Sequence, residues 1–230
     1  MHIPAVQHTL YIFERMHDHL PPLIPSEILE LFEKRLEGVR NQHDIALEEV
    51  EQIMAEVGKK IWPYMRAFED VHKHYTDKLG QELLHQRAST GLKRKLQIFK
   101  EMGGTYQDVY RGSGSDFLGV GERQELVGLL IDLKHDIRRH ATQAALSHDR
   151  PMYEAAIDKY GKMIEEINTV VEDVKKFADE IGHDNLKQDI YSHVNSFDHG
   201  FSLLGPRVDI NEVKNLKGYY QGKKDEKKIL

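Results

Sequence analysis

Fourteen histidines, no cysteine and 38 acidic side chains in 230 residues restrict the chemistry open to this chain to nitrogen and oxygen groups. A disulfide, a thiolate metal site and a cysteine nucleophile are all excluded. Imidazole and carboxylate together can hold a divalent transition metal. A histidine beside a carboxylate can also pass on a proton or accept a phosphoryl group. Four pairs have the spacing of neighbours on one helix face, three or four residues apart: Glu69 and His72, Glu82 and His85, Asp132 and His135, Asp136 and His140. These eight residues are the expected ligands of any divalent transition metal; no organic cofactor and no catalytic set is expected.

Two of these stretches carry a resemblance to known families. Glu69-x-x-His72 and Glu82-x-x-His85 are each similar to the Glu-x-x-His motif of ferritin-like carboxylate-bridged proteins, where the two motifs come from different helices. On one continuous helix, thirteen residues would put the two pairs about 20 Å apart and on opposite faces. The resemblance therefore implies a shared site only if the chain reverses near Gly80 or if two subunits meet there. Lys134-His135-Asp136-Ile137-Arg138-Arg139-His140 resembles the H-box of sensor-kinase dimerisation domains, in which an exposed histidine is followed by an acid that serves as its base. This implies phosphotransfer through His135, although Arg139 stands where that family usually has Asn or Thr. His135 follows Leu133 by two residues, about 200° around a helix, and so faces away from the apolar side.

A plainer role competes for the histidines. Five are followed by aspartate, and His17-Asp18, His148-Asp149 and His183-Asp184 fall at expected helix ends. There an imidazole meets the negative end of the helix dipole, and the aspartate can cap the next helix. The Gly/Ser-rich stretch Arg111–Ser115 has no preceding strand and no Gly-Lys-Ser/Thr sequence, so it reads as a linker and not as a phosphate loop.

The elements that must position these residues are helices. Leu29, Phe32, Leu36, Val39, His43, Ala46, Val50, Ile53, Val57, Ile61, Tyr64, Phe68, Val71, Tyr75 and Leu79 follow steps of three and four, with a doubled four at Val57–Ile61. That spacing predicts one long helix with a coiled-coil-like seam, roughly 75 Å in length. Pro63 lacks the amide that would bond Lys59, which predicts a kink. A first helix is expected over Ala5–His19 before Pro21, Pro22 and Pro25. A hairpin is expected from Glu122–Ser147 and Arg150–Ile181, whose connection is very short. A last helix is expected over Asn185–Leu203. No stretch alternates with period two, so no sheet is expected.

The predicted class is all-α: an elongated helical bundle with a long, kinked, coiled-coil-like helix and a C-terminal antiparallel hairpin. Residues 1–102 form the N-terminal helical region, 103–121 a Gly/Ser-rich linker, 122–204 the hairpin and one further helix, and 205–230 a polar, flexible tail. Tyr219-Tyr220 within that tail is a candidate docking segment. The seam looks too long to be covered within one chain, which predicts a homodimer or higher oligomer. The expected function is a non-enzymatic helical interaction or scaffolding protein whose partners are itself and another protein. A metal-binding bundle and a phosphotransfer protein acting through His135 are the alternatives. The net charge of −6 argues against nucleic acid and membrane as partners. With no secretory-type N-terminus, a cytoplasmic location is expected.

Overall fold

The computed structural model describes Tyr11 and residues 20–42, 45–105, 108–109, 118–180, 184–199 and 210–227. The expected helix at Ala5–His19 lies outside them apart from Tyr11, as do His17-Asp18, His43-Asp44, His183 and most of the Gly/Ser-rich linker. Among the described residues there is no strand, and the class is all-α. The helices are α1 (Ser26–Asn41), α2 (Leu47–Arg87), α3 (Thr90–Glu101), α4 (Val120–Leu146), α5 (Arg150–Glu180), α6 (Asp184–His199) and α7 (Ile210–Lys227). No described helix is long and apolar enough to cross a membrane.

The apolar row from Leu29 to Leu79 is not one helix. Gln42 is extended, with φ −94° and ψ 120°, and helix resumes at Leu47. Continuing the helix would set His43 in the apolar row. Instead Ile45, which lies off that row, is buried beside Val39 and Val50. Burial of the Ile45 side chain is the apolar gain at this break. Further on, α2 runs unbroken through Pro63 and Gly80 for 41 residues. The chain does not reverse near Gly80; the helix ends at Arg87, and the interruption comes at Ala88–Ser89.

The chain divides into two compact units: Met1–Arg66 with Glu154–Leu230, and Ala67–Tyr153. In the first, Phe32, Leu36, Val39, Ile45, Val50, Met54, Val57 and Ile61 form a core, with Leu20, Ile24, Ile28 and Met65 packed against it. Trp62 meets Tyr160 edge to face at 5.5 Å, joining α2 to α5. Lys187 and the Tyr191 hydroxyl both reach Asp179, at 2.7 and 3.0 Å, and tie α6 to α5. The polar C-terminal region is helical, contrary to the expected tail: Tyr220 is fully buried, with its ring 5.9 Å from His193. Lys223 adds an ion pair to Asp189 at 3.9 Å.

In the second unit Phe68, Val71, Tyr75 and Leu84 of α2 are buried, as are Leu126, Leu133, Ile137, Ala141 and Ala144 of α4. Along the seam, nine of the fifteen positions are buried within the chain, while Leu29, Ile53, Tyr64 and Leu79 are half-buried and Ala46 is exposed. The short α3 is placed by a clamp. Ser89 caps it by accepting from the Leu92 amide at 3.3 Å. Glu125 of α4 then holds Ser89 with both carboxylate oxygens, taking the amide at 2.6 Å and the hydroxyl at 2.8 Å. Replacing Ser89 with alanine removes a cap of about 1 kcal/mol. Amide exchange at Leu92 and Lys93 should then quicken about fivefold by local opening. Unchanged exchange, read by mass spectrometry or NMR, would show that the clamp does not hold α3.

Candidate functional site

The unbroken α2 carries both Glu-x-x-His pairs, thirteen residues apart, so the chain reversal on which a shared site depended does not occur. Glu69, Glu82, His85, Asp132, His135 and His140 lie on exposed positions, while His72 and Asp136 are partly buried. Among the described residues no group of three or more His, Asp or Glu side chains is placed to hold a metal ion.

His135 is exposed, as its place on the helix predicts. Its neighbour Asp136 is engaged elsewhere. Arg87 meets one carboxylate oxygen at 2.6 Å and Arg139 the other at 2.8 Å. The bond from Arg87, with the charges of Arg87, Arg139 and His140, holds this carboxyl below the usual aspartate range despite an opposing effect of desolvation. A carboxylate held by two guanidiniums is a weak base, and that undercuts the role the H-box pattern would give it. His72 is pushed down as well, first by burial and then by the charges of Arg138 and Lys134, against a smaller upward pull from Glu69.

What the second unit does assemble is a groove of about 610 Å³ between the end of α2, α3 and Val109. Leu84 and Val109 are buried in its floor, with Leu96 and Phe99 half-buried beside them. Glu82, His85, Gln97 and Lys100 supply a polar rim, so Glu82 and His85 border this groove. The corner after α3 shapes this groove. Gly103, at φ +90°, donates to the Lys100 carbonyl, and Gly104 donates to that of Phe99, both at 3.0 Å. These two bonds complete a Schellman motif. A β-carbon on Gly104 would come within 2.2 Å of the Phe99 ring, so glycine leaves room for the ring at this corner. Thr105 and Asp108 then cap each other: the Thr105 amide donates to the carboxylate at 2.8 Å, and the Asp108 amide to the threonine hydroxyl at 3.2 Å. Such a reciprocal pair starts a helical turn and carries Val109 into the floor.

Compared with known proteins, the chain matches no family model, no curated protein and no solved structure. The groove residues Leu84, Leu96, Phe99 and Val109 escaped the sequence reading because the segment from Gln81 to Met102 reads as one helix. Ser89-Thr90-Gly91, a serine before a new apolar row, was the signal that could have divided it.

The depressed His72 carries a pH consequence. An unfolded histidine takes a proton near pH 6.5, where the folded one resists it, so stability is full above that range and lost as pH falls through it. His72→Gln should therefore lose less melting temperature than the wild type between about pH 7.5 and about pH 5. Parallel acid limbs in the two proteins would contradict this.

Proposed function

We propose that this chain is a non-enzymatic helical interaction and scaffolding protein, and that its second compact unit is the part that meets partners, including other copies of itself. One observation carries the reading. Of the nine large apolar side chains exposed among the described residues, seven lie in Ala67–Tyr153: Ile98, Met102, Val120, Val127, Ile131, Leu146 and Met152. Single exposed apolar residues are ordinary, whereas a concentration of them in one compact unit is the mark of a contact surface. Three follow one line along α4, with Val120 76%, Val127 57% and Ile131 55% exposed. Their spacing of seven and four puts them on the side of α4 away from buried Leu126, Leu133 and Ile137. The groove with its apolar floor and polar rim is the second supporting feature.

Sedimentation velocity over a range of concentrations tests the reading. The wild type should self-associate as concentration rises. Val127→Glu with Ile131→Glu should stay monomeric while keeping its far-ultraviolet helical signal, because both positions are solvent-facing. A wild type that remains monomeric throughout, or a double variant that associates equally well, would remove α4 as the assembly surface.

A further inference from the structure

The helix α3 presents two different sides. Leu92 is fully buried, with Leu96 and Phe99 beside it, and these residues face the unit's interior and the groove. Arg94, Ile98 and Met102 follow at steps of four along the opposite side, with Lys95 adjacent. Ile98 and Met102 are exposed, and Met102, at 81%, is the most exposed large apolar side chain among the described residues.

Charge sets this helix apart from the rest of the chain. Lys93, Arg94, Lys95 and Lys100 against Glu101 give α3 a formal +3. The whole chain is −6, which leaves −9 elsewhere. Arg87 and Arg139 of the same unit are held by Asp136. By contrast, no carboxylate among the described residues pairs with any of the four cations of α3. Cations that pair with no described carboxylate, set around two apolar side chains one turn apart, match a helix that carries acidic residues around apolar anchors with the same spacing.

We infer that the outer side of α3, built from Arg94, Lys95, Ile98 and Met102, is a docking surface for an acidic amphipathic helix of a partner protein. This inference rests on the interaction-protein reading and names the chemistry of the partner. A nucleic acid would have no use for Ile98 and Met102 at the middle of the patch. An extended anionic membrane would bring its charge against the −9 carried by the remainder of the chain. A single helix contacts only the local patch, and so meets its cations without that opposition.

The test is fluorescence anisotropy with the full chain and a short synthetic helix that carries two leucines one turn apart, flanked by glutamates. The acidic peptide should bind, and should weaken as salt is added. Arg94→Glu with Lys95→Glu should weaken it about tenfold, and Ile98→Ser with Met102→Ser should weaken it comparably. The charge-reversed variant should instead prefer a version of the peptide with lysines in place of glutamates, which a merely misfolded variant would not do. Equal binding of the acidic peptide and a glutamine version would overturn the proposal. So would tighter binding to phosphatidylserine vesicles or to a single-stranded oligonucleotide. Failure here with self-association intact on α4 would remove only the acidic partner, whereas peptide binding by a strictly monomeric chain would remove only the self-assembly.

Discussion

The apolar row of α2 is the feature that everything else in this chain must accommodate. A helix of 41 residues with a buried residue at nearly every turn gains about 1.5–3 kcal/mol for each large side chain taken fully from water. Surface ion pairs contribute about 0–1 kcal/mol each. Covering Val50, Met54, Val57, Ile61, Phe68, Val71, Tyr75 and Leu84 therefore outweighs every salt bridge in the molecule. The first half of the row is covered in one compact unit and the second half in the other. The boundary at Arg66 comes three residues after Pro63, where the backbone has one amide fewer to hold its ladder.

Polar contacts serve a different purpose, which is to fix where helices begin and end. At the turn between α4 and α5, the buried Tyr75 hydroxyl donates to Asp149 at 2.8 Å and lies 2.8 Å from His148 Nε2. A buried hydroxyl left without a partner would cost about 1–3 kcal/mol, so the dipeptide closes the turn and also satisfies the tyrosine. Burial, followed by the bond and charge of Asp149, raises the Tyr75 phenol above its ordinary range and keeps it a neutral donor. His148-Asp149 acts here as punctuation. The clamp of Glu125 on Ser89 does the same for α3, and Arg87 on Asp136 joins the end of α2 to the middle of α4.

The helical class was legible because spacing of three and four survives any arrangement of partners. The ends of α4 and α5 were legible for the same reason, together with the short connection at Ser147–Asp149. Where the sequence misled, a tertiary contact had reversed a local preference. Ile45 lies off the periodic row, yet it is buried in the core just past the break after Asn41. Gly80 has a weak helix propensity, yet it lies inside α2, while the break comes at a serine that Glu125 reaches from 36 residues away. The polar run around Tyr220 has no apolar face of its own, and it is helical where His193 and Asp189 meet it. The site suffered in the same way. Glu82 and His85 were visible as a pair, but their companions Leu96, Phe99 and Val109 come from segments that only the corner at Gly103-Gly104 brings alongside.

That corner and the clamp also explain how α3 is held in place. A helix of 12 residues is marginal on its own in water, and α3 exists because Ser89 caps one end, the Schellman turn closes the other, and Leu92 is buried between them. Its outer side leaves Arg94, Ile98 and Met102 exposed, with Lys95 half-buried beside them. The long helices are different, since most of their turns are committed to a core. A contact made on α3 would add support to the least self-sufficient of the helices near the groove. Under the proposed docking, binding there and ordering of the groove's wall would be favourable in the same direction, each strengthening the other.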